Sequence, residues 1–109
     1  MNDKQQALNQ IVDIVVECCA FDVNGAQSMT REQLLGKSRN ENFVMSRCIL
    51  AHMILSAGYS VSTAALLMNR SPQAIRHMIE VGHQYIQTSR AFRLANAECT
   101  LRCKEIGHQ

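Results

Sequence analysis

Residues 59–77 read YSVSTAALLMNRSPQAIRH, and this stretch predicts two helices joined by one tight turn. Ser60 or Ser62 is suited to cap the first helix, because a serine hydroxyl accepts a hydrogen bond from an otherwise unpaired backbone N–H. The apolar side of this helix comprises Val61, Ala64, Ala65 and Met68. Asn69 tolerates the left-handed backbone conformation that ends a short helix, so we expect the turn to begin there.

The second helix of the stretch is expected to begin at Ser71 and Pro72. The Ser71 hydroxyl is another capping group, and proline fits the first helical position, where no N–H is needed. The predicted core-facing stripe comprises Ile75, Met78, Ile79 and Gly82. The predicted solvent-facing side comprises Gln73, Arg76, His77 and Glu80. Such a helix-turn-helix commonly presents its second helix to the DNA major groove, and the alternative is an ordinary helical hairpin.

The composition of the chain indicates an all-α protein. Its 109 residues suffice for about one domain with a hydrophobic core, and 47% of them are hydrophobic. The chain has only two Tyr, three Phe and no Trp, whereas the aliphatic residues and Met that fill helix–helix interfaces are abundant. We therefore predict a single helical domain over residues 1–109, with five to six helices around a central buried helix.

The cysteines and the hydropathy predict a cytoplasmic protein. The five cysteines are an odd number, and the N-terminus lacks the basic segment and apolar run of a secretory signal. No apolar run approaches the ~20 residues of a membrane span, so no membrane partner is expected. Cys99 and Cys103 are one helical turn apart and resemble part of a metal site with His108. Structural zinc sites use four ligands in paired short-loop spacings, so we expect neither a metal nor a cofactor.

Helices are also predicted near both ends of the chain. The first is expected to be capped by Asn2 or Asp3 and to end near Phe21. Its apolar stripe comprises Leu8, Ile11, Val12, Val15, Cys18 and Cys19. After the helix-turn-helix the sequence stays compatible with a helix for so long that we expect a break near residues 87–89. A tail helix then covers about residues 90–106.

Between the first helix and the helix-turn-helix, the sequence predicts a short helix with defined ends. Residues 22–29 form a turn signal that includes Asn-Gly. Thr30 and Gln33 have the spacing of a capping box, in which each side chain satisfies the other's backbone N–H. The short helix is therefore expected over about residues 31–35, and Gly36 is expected to end it.

A longer helix is predicted over about residues 40–57, after a basic linker at residues 37–39. Its apolar residues lie nearly all the way round, which is typical of a helix packed on several sides. Arg47 is the charged exception, and an arginine in such a helix must reach a buried acid or an external anion. His52 is interpreted as a hydrogen-bonded core histidine rather than a ligand or catalyst, because no partner lies near it in sequence.

The distribution of charge favours a phosphate-contacting surface over a bare helical hairpin. Residues 31–93 contain eight Lys and Arg against three acidic residues, whereas the flanking segments contain three basic and six acidic residues. Basic residues concentrated around a helix-turn-helix are what a DNA-binding surface requires.

Four segments in order carry a family resemblance. They are LLGKSR at residues 34–39, Arg47, YSVSTAA at residues 59–65, and NRSPQAI at residues 69–75 followed by His77. In order and spacing they resemble the C-terminal DNA-binding domain, domain IV, of the bacterial replication initiator DnaA. The resemblance covers about residues 8–90 and implies a Trp-repressor-like helix-turn-helix fold.

The resemblance also implies how the backbone of DNA would be held. Arg39 would reach into the minor groove, because a guanidinium suits a narrow, electronegative groove. Lys37 and Arg47 would contact phosphates. The backbone near Ser60 and Ser62 would present helix N–H groups to the phosphate chain.

The positions that would read bases depart from the family pattern. Arg70 matches the arginine of the family signature, but residues 71–74 read SPQA in place of an Asp-His pair and two threonines. Gln73 suits a bidentate contact with adenine and Arg76 one with guanine, each worth about 1–3 kcal/mol of discrimination. The preferred DNA site is therefore expected to differ from the origin boxes of the family.

We predict that the chain binds double-stranded DNA as a stand-alone module, in replication or transcription control. The predicted DNA-binding residues are Lys37, Arg39, Arg47, Ser60, Ser62, Arg70, Ser71, Gln73, Arg76 and His77. The alternative is a module that kept the fold but binds a protein partner or a second copy of itself. Catalysis is not expected, because no nucleophile–base set, carboxylate pair or phosphate-cradling loop is recognisable.

Overall fold

The computed structural model describes residues 3–19 and 29–107, and these ranges contain six helices and no strand. The helices are α1 (Asp3–Cys18), α2 (Arg31–Leu35), α3 (Glu41–Ser56), α4 (Val61–Met68), α5 (Pro72–Thr88) and α6 (Arg90–Gly107). The prediction of an all-α protein is confirmed. None of these helices is long and apolar enough to cross a membrane.

Helix α3 is the centre of the structure, as predicted. It packs against each of the other five helices, so every side of it meets protein. Ile49, Leu50 and Ile54 are fully buried, and so is Ser46, whose hydroxyl donates to the Asn42 carbonyl oxygen at 2.7 Å. Because no side of α3 faces solvent over its length, its apolar residues need no polar stripe.

Helix α1 lies against α3 and α6. Leu8, Ile11, Val12 and Val15 form its buried stripe, and Cys19 directly after it is also buried. The helix ends at Cys18, and Phe21 and most of the predicted turn lie outside the described residues. Asp3 is the first residue of α1, whereas the other proposed cap, Asn2, is not among the described residues.

The short helix α2 has the ends that the sequence predicted. The Gln33 N–H donates to Thr30 Oγ1 at 3.1 Å, and the Thr30 N–H donates to Gln33 Oε1 at 2.9 Å, so the capping box is confirmed. Gly36 ends the helix, where a Cβ atom would lie only 2.9 Å from the Glu32 carbonyl oxygen. Asn40 then caps α3.

Helices α5 and α6 are separated at Ser89, within the predicted break. The Ser89 N–H closes α5 by donating to the Tyr85 carbonyl oxygen at 2.8 Å, and its hydroxyl accepts from the Phe92 N–H at 3.1 Å. Phe92 is buried and stacks on the Tyr85 ring with 5.3 Å between ring centroids. The change of direction at Ser89 therefore returns α6 to the core.

Candidate nucleic-acid interface

Helices α4 and α5 are joined by the tight turn that residues 59–77 predict. Ser60, rather than Ser62, caps α4, and its Oγ accepts from the Thr63 N–H at 3.1 Å. Asn69 ends α4 in the left-handed conformation, with φ 53° and ψ 53°. Ser71 caps α5 by accepting from the Ala74 N–H at 3.1 Å. Three residues, 69–71, therefore separate the two helices.

Helix α5 has one side in the core and one in solvent. Ile75 and Gly82 are buried, and Met78 and Ile79 pack against the core. The side chains on the opposite side are all exposed, namely those of Gln73, Arg76, His77 and Glu80. Both sides of the predicted second helix are confirmed, so the predicted DNA-binding residues Gln73, Arg76 and His77 are open to a partner.

The basic linker lies against the turn between α4 and α5. Lys37 Nζ donates to the Asn69 carbonyl oxygen at 2.8 Å. Arg70 donates from the opposite direction, to the Gly36 carbonyl oxygen through Nη2 and to the Met68 carbonyl oxygen through Nη1. The two contacts join pairs of residues that are separated by 32 and 34 positions in the sequence. They bring the linker and the turn onto one surface. The arrangement joins two of the predicted DNA-contacting segments.

Arg47 has different partners from those expected. It is only 4% exposed, and its guanidinium donates to the carbonyl oxygens of Leu34 at 2.7 Å, Gln33 at 3.0 Å and Ser38. The carbonyls at a helix C-terminus are unpaired and carry partial negative charge, so they take the place of the predicted acid or external anion. A phosphate would have to displace them, and the phosphate contact predicted for Arg47 is therefore corrected to a structural role.

Burial lowers the pKa of Arg47, and the positive charge of Arg70 lowers it further. Burial also lowers the pKa of Arg70. Arginine nevertheless stays protonated at neutral pH. Two guanidinium groups of like charge thus lie near each other, and each is hydrogen-bonded to backbone carbonyls.

The positive charge around the turn is not neutralised by acids within the described residues. Their three ion pairs join Arg31 to Asp13, Arg102 to Glu17 and Arg102 to Glu98, all on α1, α2 and α6. Among residues 3–19 and 29–107, no acid lies in ion-pair contact with Lys37, Arg39, Arg47, Arg70 or Arg76. The surface formed by the linker and α5 is therefore open to an anionic partner.

A shallow groove of about 490 Å³ lies between α4 and the start of α5. Its rim includes Leu66, whose side chain is 85% exposed, together with Ser62 and Asn69. Leu66 is not among the residues predicted from the sequence to bind a partner. Its exposure could have been predicted from the sequence. Leu66 is an apolar residue four positions after Ser62, on the side of α4 away from its buried stripe.

His52 does not make the hydrogen bond that was expected of a core histidine. It is half-buried, and within the described residues no hydrogen bond reaches its ring. Burial lowers the pKa of His52, and the neighbouring His83 lowers it further. In the same ranges, no three His, Cys, Asp or Glu side chains are grouped to hold a metal ion, and His108 lies outside them.

Comparison with known proteins finds no match among protein-family models, curated proteins or solved structures. The resemblance to DnaA domain IV rests on the residues quoted above and stays a prediction.

Proposed function

We propose that the chain binds double-stranded DNA through a helix-turn-helix of the DnaA domain IV-like, Trp-repressor-like class, as a cytoplasmic module in replication or transcription control. The observation that carries the proposal is the exposed outer side of α5, with Gln73, Arg76 and His77, beside a basic linker that is hydrogen-bonded to the turn. Helix α5 enters the major groove in this arrangement.

Contacts to the DNA backbone would come from the linker and the start of α4. Lys37 and Arg39 are exposed, and Arg39 has no ion-pair partner within the described residues. The Ser60 hydroxyl is occupied by the Thr63 N–H, so the backbone N–H groups of Val61 and Ser62 remain for a phosphate at the positive end of the helix. These contacts position the protein but carry no sequence information.

Base recognition would fall to the first two turns of α5. Gln73 and Arg76 have the donors and acceptors for bidentate contacts with adenine and guanine in the major groove. His77 is exposed next to Arg76. Ser71 is committed to capping α5, so its contribution is to hold the start of the helix in place.

Arg47 and Arg70 support this surface from behind. Arg47 holds the Ser38 carbonyl and Arg70 holds the Gly36 carbonyl, so the backbone on each side of Lys37 is fixed. The two arginines therefore position the linker that carries Lys37 and Arg39, while Arg70 keeps an additional electrostatic effect on nearby phosphates.

The test is fluorescence anisotropy of the purified chain with random-sequence duplex DNA and with a DnaA-box duplex, across a salt series. We expect log K to fall linearly with log salt, with a slope of about −0.9 per phosphate contact. Arg39→Ala should weaken binding to both duplexes and reduce the slope by about 1. Arg76→Ala should reduce discrimination between sequences.

The matched control is Arg90→Ala, which removes the same charge. Arg90 is exposed at the start of α6, beyond the far end of α5 from Ser71, and the 17 residues of α5 span roughly 25 Å at 1.5 Å per residue. The Arg90→Ala variant should leave the affinity for DNA and the salt slope nearly unchanged. Equal losses in the Arg90 and Arg39 variants, or no binding to either duplex at low salt, would overturn the proposal.

The alternative function is binding of a protein partner or of a second copy. Three exposed leucines favour it: Leu66 at 85%, Leu94 at 61% and Leu101 at 62% exposure. Leu94 and Leu101 are seven residues apart on α6 and so lie on one side of that helix. This alternative predicts that the oligomeric state depends on those leucines.

A further inference from the structure

Four of the five cysteines are gathered where the end of α1 meets α6, and we call Cys18, Cys19, Cys99 and Cys103 the thiol cluster. Cys19 Sγ and Cys99 Sγ are 3.8 Å apart although their residues are 80 positions apart in sequence. Both side chains are buried, at 1% and 0% exposure, whereas Cys18 and Cys103 are partly exposed. All four are free thiols in this structure.

We propose that Cys19 and Cys99 are a disulfide-forming site, oxidised by a small-molecule disulfide such as oxidised glutathione. Their sulfur atoms are already in contact, so bond formation needs an approach of less than 2 Å, to about 2.05 Å. The bond would tie the end of α1 to the middle of α6. None of the residues proposed to contact DNA belongs to this cluster, so the inference is independent of the proposed function.

The partly exposed thiols provide the route for the oxidant, because Cys19 and Cys99 are closed to solvent. The Cys18 thiolate attacks the small disulfide, which forms a mixed disulfide and releases one glutathione thiolate. The Cys99 thiolate then attacks Cys18 Sγ and releases the second glutathione thiolate.

In the last step the Cys19 thiolate attacks Cys99 Sγ and returns Cys18 to a thiol. The result is one protein disulfide and two glutathione thiols, which take up the protons of Cys19 and Cys99. Exchange of this kind passes through successive mixed disulfides.

The surroundings of the thiol cluster determine how fast its thiols are oxidised. Burial, followed by the neighbouring Cys99, raises the pKa of Cys18 to about 12. Burial is also the main cause that raises the pKa of Cys103 to about 11. Glu98 and Arg102 on α6 act on Cys18 in opposite directions, Glu98 raising and Arg102 lowering its pKa. Since only the thiolate attacks, oxidation should be slow at neutral pH and about tenfold faster for each unit of pH below these values.

The test treats the full chain with oxidised glutathione at pH 7 and at pH 9, followed by intact mass measurement and peptide mapping without reductant. We expect the loss of two hydrogen atoms, a linked pair of peptides containing Cys19 and Cys99, and faster formation at pH 9. The melting temperature should rise by roughly 5–15 °C, because the bond closes a long loop in the unfolded chain. Dithiothreitol should reverse the rise.

Cysteine variants test the individual steps of the proposed disulfide formation. Cys99→Ser should accumulate glutathione adducts on Cys18 and Cys103 with no rise in melting temperature, while Cys48→Ser, at the buried cysteine outside the cluster, should still form the bond. Replacing Cys18 and Cys103 together by Ser should slow the bond without preventing it.

Oxidation of the wild-type chain tests the Cys19–Cys99 bond even if a variant folds poorly. The proposal is overturned if Cys19 and Cys99 can still be alkylated in denaturant after oxidation at pH 9. A wild-type chain that carries only glutathione adducts, or a bond between Cys18 and Cys103, would overturn it equally.

Discussion

At Arg47 a single side chain connects three parts of the backbone. Its guanidinium donates to the carbonyls of Gln33 and Leu34 at the end of α2 and to that of Ser38 in the linker. A helix of only five residues has little stability of its own, so external donors to its last carbonyls contribute much to its position. Arginine suits this task because its planar group offers donors in several fixed directions.

Replacing Arg47 by Met should therefore destabilise the fold. The substitution leaves three carbonyls without their donor, and we expect a loss of about 2–4 kcal/mol in the free energy of unfolding, measured by urea denaturation. Arg47→Lys should recover only part of this, since one ammonium cannot reach all three oxygens. Arg76→Ala, on the exposed side of α5, is the control and should change stability by less than about 0.5 kcal/mol. An unchanged urea midpoint for Arg47→Met would contradict the structural role.

At the scale of the elements, the capping residues determine where each helix begins and ends. Each of the short helices has a hydroxyl cap, from Thr30 for α2 and from Ser60 for α4, and Ser89 separates the last two helices. Such caps satisfy N–H groups that would otherwise be unpaired, and they decide where one helix stops and the next begins. The tight turn at Asn69 then fixes the direction of α5 relative to α4.

Ser60, which caps α4, and Ser62, two residues later within α4, allow a matched test of this capping. Ser60→Ala should lower the free energy of unfolding by about 1 kcal/mol, because the Thr63 N–H loses its acceptor. Ser62→Ala makes the same chemical change at an exposed hydroxyl and should have an effect below about 0.5 kcal/mol. Thermal or urea unfolding measures both. If the two variants lose the same stability, Ser60 is not the cap.

At the scale of the whole molecule, the structure separates two surfaces. The positive surface of the linker and α5 has no acid partners among the described residues, while the ion pairs of those residues lie on α1, α2 and α6. The exposed leucines Leu94 and Leu101 also lie on α6. Two leucines cover far less than the ~1,000 Å² that a stable protein interface buries.

We therefore expect a monomer at micromolar concentration by sedimentation equilibrium. Replacing Leu94 and Leu101 together by Gln should leave the mass and the DNA affinity unchanged, because neither side chain lies on the proposed DNA surface. The Leu66→Gln variant makes the same substitution on α4 and is compared with the α6 variant. A concentration-dependent dimer that the α6 substitutions abolish would instead support the alternative function.

The local features of this protein were predictable from the sequence. The capping box at Thr30 and Gln33, the left-handed Asn69 and the Ser71–Pro72 start of α5 depend on residues within four positions of each other. The two sides of α5 and the central position of α3 followed from the spacing of apolar residues. The sequence could determine these features because capping and helix periodicity act over one or two turns of backbone.

Only the tertiary structure decided which distant groups meet. Arg47 reaches carbonyls up to 14 residues away, Lys37 reaches Asn69 across 32 residues, and Cys19 meets Cys99 across 80. The sequence shows a charged residue in an apolar helix or a cysteine on a stripe, but its partner depends on how the helices cross. Helix packing permits several crossing angles and neighbours for the same apolar stripe, so these contacts are set only when α1, α5 and α6 have packed around α3.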